Sequence, residues 1–194
     1  IKWVSVLFTD LSGYSTITEN MSPEVALEFL NEYFTKMHVI IKEFEGHILN
    51  YIGDSIMVVF GAPQKLKNHE NQAVECALKM KKQLEELNTK WDDNKLSRYW
   101  KNHGIDSITM RTGIHTGSVI AGNIGSPEML QYSTIGDTVN VASRLEQANK
   151  EFNTEISFSH EIYTALEEEL FEISKLSGEI TLKGRTSQTK VYSI

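Results

Sequence analysis

The sequence predicts an α+β fold in which an antiparallel-leaning sheet carries helices packed on one side. Three observations lead there. In the stretch ILNYIGDSIMVVF, residues 48–60, two apolar runs fold about Gly53 and Asp54, the sequence form of a β-hairpin. Ala26, Leu30, Tyr33, Met37, Ile40 and Phe44 recur at three- and four-residue steps, which makes one buried face of a helix. Strands and helices then alternate in an uneven order to the end of the chain.

The first strand is the run 3–8. After Gly13, Ser22 and Pro23 supply an N-cap and a proline at the first helical position, so the helix carrying the 26–44 face has a defined start. The 48–60 hairpin follows, Gly61-Ala62-Pro63 breaks the chain, and a second amphipathic helix runs to about residue 90 with Val74, Ala77, Leu84 and Leu87 facing inward. The segment 91–105 is polar and irregular, which predicts a surface loop framed by Trp91 and Trp100. Beyond it come a strand at 107–115, a glycine-punctuated region with strands at 118–122 and 130–135, and a helix from 138 to about 151. Short strands near 155–158 and after Phe171 surround a small helix at 161–168.

Composition bounds what such a fold can do. A chain of 194 residues is expected to form one domain with a real core. With 40% hydrophobic and 23% charged residues it belongs with neither disordered nor membrane-embedded chains, and no run has the length of a membrane-spanning helix. It opens inside a strand without an initiator Met, so it reads as a piece of something longer, and a cytoplasmic location is expected for it. Cys76 is the only cysteine; among Ala73, Val74, Ala77 and Leu78 it reads as a core residue. The net charge of -7 argues against nucleic-acid binding, and it means that a polyphosphate must be met by local cations or metal.

Two carboxylates stand where strands end. Asp10 follows the apolar run Val6-Leu7-Phe8, and Asp54 sits at the bend of the hairpin. Each alone is explained by turn chemistry, but a pair of strand-end carboxylates suits a hard divalent cation that keeps the rest of its shell for water and phosphate oxygens. A second group lies on the 138–151 helix, where Asn140 and Arg144 share a face one turn apart while Val141, Leu145 and Ala148 turn to the core. A guanidinium fork fits phosphate oxygens and an amide fits a ribose. The histidines are scattered without metal-ligand spacing; His115 reads as structural, Asp137 as a helix N-cap and 167–169 as a solvated helix end.

The stretches FTDLSGYS, NYIGDSIMVVFGAP, MRTGIHTGSVIAGNIG, YSTIGDTVNVASRLE and LKGR, in this order, resemble the successive motifs of the class III nucleotidyl cyclase catalytic domain. The FGAP after the hairpin resembles the branch containing cyanobacterial and soluble bicarbonate-responsive adenylyl cyclases, from which stimulation by bicarbonate is a further expectation. The resemblance implies a ferredoxin-like, palm-type sheet acting as a head-to-tail, wreath-like dimer. It implies that Asp10 and Asp54 hold two Mg2+ or Mn2+ ions, that Arg111 and Lys183 contact the polyphosphate, that Asn140 positions the ribose, and that Arg144 stabilises charge on the α-phosphate. The backbone amides around Leu11, Ser12 and Gly13 are expected at the phosphates. In the family Asp10, Asp54 and Arg111 of one subunit meet Asn140, Arg144 and Lys183 of the other, so a homodimer with two sites is expected.

Base choice falls to Asn50 and Ser133. Adenylyl cyclases usually carry Lys at the first position and Asp or Thr at the second, and guanylyl cyclases usually carry Glu at the first. An amide and a hydroxyl offer both donor and acceptor, so the hydrogen-bond inventory admits either purine. Ser133 is nearer in kind to the Thr of the bicarbonate-responsive branch, which favours ATP, with GTP as the alternative. Two other readings are a catalytically inactive nucleotide-binding regulatory domain, which the retention of both Asp10 and Asp54 argues against, and a diguanylate cyclase or polymerase-like palm, which the Asn140/Arg144 pair argues against.

Overall fold

In this computed structural model, which describes residues 1–184 and 186–194, the elements run in the order β1 (Lys2–Leu11), α1 (Tyr14–Glu19), α2 (Pro23–Glu43), β2 (His47–Ile52), β3 (Ser55–Phe60), α3 (His69–Asp93), α4 (Arg98–Lys101), β4 (Met110–Ser126), β5 (Met129–Ile135), α5 (Asp137–Phe152), β6 (Ile156–Ser159), α6 (His160–Ala165), α7 (Glu168–Ile173), β7 (Lys175–Thr181) and β8 (Gln188–Ser193). Arg185, the last residue of the LKGR stretch, lies outside the described residues. The sheet follows the order β2-β3-β1-β4-β6-β8-β7, and β5 pairs with the far half of β4 as a projecting hairpin. Among the described strands only β4 and β6 pair in parallel, so the expected antiparallel-leaning α+β class is the one observed. None of the described helices is long and apolar enough to cross a membrane.

Helices cover both faces of the sheet, not the one face expected from the sequence. Alternation along β1 shows why: Leu7 and Leu11 join the core under α2 and α3, whereas Val4 and Val6 point the other way and pack with Ala142 of α5. The helix α5 lies directly on the sheet. A Cβ at Gly113 of β4 would fall 2.1 Å from the Glu146 backbone nitrogen, so only glycine admits this approach. Gly117 serves in the same way beneath Thr138, whose hydroxyl donates to the Ser118 carbonyl at 2.8 Å. Gly117, which fell between the expected strands, therefore sits inside one continuous strand, β4, and the separate strands at 107–115 and 118–122 merge.

The helices on the first face begin as expected. Ser22 caps α2 by accepting from the Val25 amide, Pro23 follows, and Phe29, Tyr33, Met37, Ile40 and Ile41 are buried. The segment 91–105 is corrected: α3 continues through Trp91 to Asp93, and α4 brings Trp100 back beneath it. Both indoles are buried, with the Trp91 and Trp100 rings 5.6 Å apart and Phe29 5.0 Å from Trp91. Trp91 extends the Leu84, Leu87 stripe by one turn and donates its Nε1 hydrogen to Glu32 at 2.9 Å. Two large aromatic side chains thus outweigh an otherwise polar stretch.

The helix expected at 161–168 is split in two. The Glu167 amide donates to Asn71 of α3 at 2.7 Å instead of continuing α6, so Glu167 docks on α3 and is not merely a solvated helix end. Asp137 is the first residue of α5, and Gly136 stands at the cap position that the sequence assigned to Asp137. Cys76 is buried in the main core, where burial pushes its thiol pKa up, and His115 is buried with Nδ1 2.8 Å from the Ser159 hydroxyl.

Candidate active site

Asp10 and Arg111 are direct partners across the antiparallel β1–β4 ladder. Register alone therefore sets an acid and a guanidinium side by side at the strand ends. Arg111 donates from Nε to Asp10 Oδ1 at 3.1 Å and from Nη2 to Oδ2 at 3.4 Å, a bidentate pair. Asp54 reaches the same place from the β2–β3 turn, where Gly53 adopts φ 58°. Its Oδ2 accepts from the Leu11 amide at 2.7 Å, which ties the hairpin bend to the residue after Asp10. Burial raises the Asp54 carboxyl above its ordinary range; the Leu11 amide opposes that shift, and the Asp10 charge adds to it. An acid whose carboxyl is raised in part by a neighbouring acid is short of positive charge.

Two of the backbone amides expected at the phosphates are otherwise engaged. The Leu11 amide is held by Asp54, and the Ser12 amide donates to the Thr109 carbonyl at 2.8 Å, so neither is directed at a ligand. Gly13 takes φ 71° at the start of α1, and its carbonyl accepts from the Ile17 amide.

The residues of the second group stand elsewhere. Asn140 is exposed on α5, and Arg144, half-exposed, pairs with Glu151 Oε1 at 2.7 Å. Lys183 is exposed in the turn between β7 and β8. Among the described residues no hydrogen bond or ion pair joins Asn140, Arg144 or Lys183 to Asp10, Asp54 or Arg111. Helical geometry accounts for the separation. Glu146 faces Arg111, and two positions along an α-helix are roughly 200° apart, so Arg144 points away from Asp10.

Asn50 and Ser133 sit on β2 and β5, exposed and half-buried respectively. Their strands are tied together by residues that sequence reasoning passed over. The β2–β3 register shifts between Ile48 and Asn50, and the Leu49 carbonyl at that irregularity accepts from Gln131 Nε2 at 2.7 Å. Next to it the Tyr132 ring stands edge-on to His47 at 5.4 Å.

Two further side chains at the acids were also missed. Glu146 is only 5% exposed, with Oε1 3.5 Å from Arg111 Nε and Oε2 accepting from the Gln147 side-chain amide. Burial first, and then the neighbouring Asp10 carboxylate, push its carboxyl up to about 8. Its place one turn after buried Ala142 was the available signal. Tyr33 is fully buried beneath the site, and burial together with the Asp54 charge raises its phenol.

Among the described residues no group of three or more His, Cys, Asp or Glu side chains makes a ready-made metal cage. The donor set is two carboxylates, the ligand type and number that suit Mg2+ or Mn2+ when water and substrate phosphates complete the shell. Asp10 and Asp54 fit such a cation, with the convergence of the two acids through the Leu11 amide and the raised Asp54 carboxyl as the structural signs.

Comparison with known proteins places this geometry. The family described as the Adenylate and Guanylate cyclase catalytic domain matches residues 1–194. Adenylate cyclase 1 of Rhizobium meliloti (strain 1021) is 34% identical over 191 residues, 98% of this chain, and the chain spans 27% of that relative's length. Among solved structures, the adenylyl cyclase CyaB from P. aeruginosa superposes with a TM-score of 0.82 at 30% identity, covering 99% of this chain and 93% of the other. The guanylyl cyclase Cya2 superposes with a TM-score of 0.80 at 29% identity, covering 98% and 90%. Likeness of fold thus extends to cyclases named for either nucleotide.

Proposed function

This chain belongs to the adenylate and guanylate cyclase catalytic domain family, and from that premise we propose that it converts ATP to cyclic AMP and pyrophosphate in a site shared between two copies of the chain. The observation that carries the proposal is the split arrangement: Asp10, Asp54 and Arg111 converge within one chain while Asn140, Arg144 and Lys183 point out of it. A head-to-tail homodimer brings the second set onto the first, twice. Two Mg2+ or Mn2+ ions held at Asp10 and Asp54 would supply the charge that lowers the cost of attack by the ribose 3'-oxygen on the α-phosphorus.

The chain's own side chains carry the rest. Asn140 holds the ribose so that the 3'-oxygen lies in line with the leaving pyrophosphate. Arg144 donates to the α-phosphate oxygens as charge builds there, and Arg111 and Lys183 bind the β- and γ-phosphates. Asn50 and Ser133 meet the purine edge, with ATP preferred over GTP.

The test is to incubate the chain with ATP or GTP and Mn2+ at several protein concentrations and identify the products by mass. Cyclic AMP formed in preference, with specific activity rising with protein concentration, is the expected result. Cyclic GMP in preference would reassign the base, and no cyclic product from either nucleotide would leave a regulatory nucleotide-binding domain.

A further inference from the structure

Glu146 is buried against the acids, and the proposed chemistry gives it no role. Its backbone is pinned where α5 rides on Gly113, so the carboxylate is delivered to one place. Oε2 is occupied by the Gln147 amide, whereas Oε1 is buried without a hydrogen-bond partner and lies 3.5 Å from Arg111 Nε. That same Nε is bonded to Asp10 Oδ1 at 3.1 Å, and Nη2 covers Oδ2 at 3.4 Å. Both oxygens of Asp10 are therefore held by a cation already present. A divalent ion that takes Asp10 competes with the guanidinium for the same two oxygens, and a guanidinium that lost its partner here would be a poorly solvated, unpaired charge. Glu146 Oε1 is an unused acceptor within a small movement of Nε, and it is an acceptor in either protonation state.

We propose that Glu146 is a positioning residue that takes the Arg111 guanidinium over from Asp10 when a divalent cation binds. Asp10 is thereby cleared for the ion. Nε stays anchored on Glu146, and the Nη groups are left to face the phosphates. The inference rests on the reading that Asp10 and Asp54 hold the cation.

Mn2+ binding to the nucleotide-free chain, followed by electron paramagnetic resonance, tests it. Glu146→Met, which removes the acceptor and keeps the bulk, is expected to weaken Mn2+ binding about tenfold. Glu146→Gln, which keeps an acceptor oxygen, is expected to weaken it much less. In an Arg111→Met background the Glu146→Met change is expected to have almost no effect, because no guanidinium remains to be received. Equal losses for Met and Gln, or an undiminished loss without Arg111, would show a plain charge effect and overturn the handover. Asp10→Asn leaving Mn2+ affinity unchanged would remove the cation reading itself, and the handover with it.

A second measurement needs no variant at position 146. In proton–nitrogen spectra of arginine Nε, with Arg111 assigned through Arg111→Lys, Mg2+ is expected to shift the Arg111 signal while its proton stays protected from solvent exchange. A signal that does not move, or one that disappears into exchange with water, overturns the proposal.

Discussion

Asp10, Asp54 and Arg111 are locked by strand register, a backbone amide and a bidentate ion pair, whereas Asn140, Arg144 and Lys183 stand on an exposed helix face and a turn with one surface ion pair among them. The first group is complete inside the chain and has little freedom. The second is open to solvent, and among the described residues only Arg144 of it is paired, with Glu151 at the surface. The difference teaches how a fold divides its labour. The acids are built into the sheet, and the groups proposed to grip a substrate face outward.

Complementation is expected to separate the two groups most strongly. An Asp10→Asn, Asp54→Asn chain and an Asn140→Ala, Arg144→Ala chain should each be inactive. Mixed in equal amounts they should recover about a quarter of wild-type cyclase activity, because half of the randomly formed dimers carry one intact site of two. No recovery despite dimer formation by light scattering would mean that the two groups serve the same chain.

Single arginine changes separate the halves less drastically. Arg144→Ala should lower turnover by roughly 10²–10³-fold, as for loss of one charge-stabilising donor. Its effect on stability should remain within about 0.5 kcal/mol, because the Glu151 pair is a surface one. Arg111→Ala should reduce both, with a loss of about 1–3 kcal/mol in urea unfolding, because it strands Asp10 beside Glu146 in a largely buried place. Equal stability for the two variants would erase the distinction between a locked and an open half.

A graded effect is the pH dependence of stability without divalent cation. Glu146 binds its proton more tightly in the folded chain, with its carboxyl raised from 4.5 to about 8, so the folded state holds more protons across that window. Stability should therefore fall as pH rises through it, by at most ~1.4 kcal/mol per pH unit for this group. Asp54, also raised, acts with the same sign. Glu146→Gln should flatten the slope in denaturant titrations, while Asn140→Ala should leave it as it is.

Much of this was legible one residue at a time. The Ser22-Pro23 cap, the Gly53-Asp54 bend, the buried stripes of α2 and α3 and the outward pair Asn140 and Arg144 all follow from local period and turn chemistry. Trp91 and Trp100 were misread because a polar average hid two large apolar side chains. Gly117 was misread because close packing of a helix on a strand and a break in a strand look alike in sequence.

The α+β class, the two strand-end acids and the family were legible in the chain alone, since each of these is carried by short-range pattern. Only the tertiary structure decided that α5 covers the second face of the sheet, that the Leu11 and Ser12 amides are engaged within the chain, and that Glu146 reaches Arg111 beside Asp10. Those outcomes depend on which strands become neighbours and how closely a helix can approach them. Asp10 and Glu146 meet across β4 only because Gly113 has no side chain, a distance relation that no local period encodes.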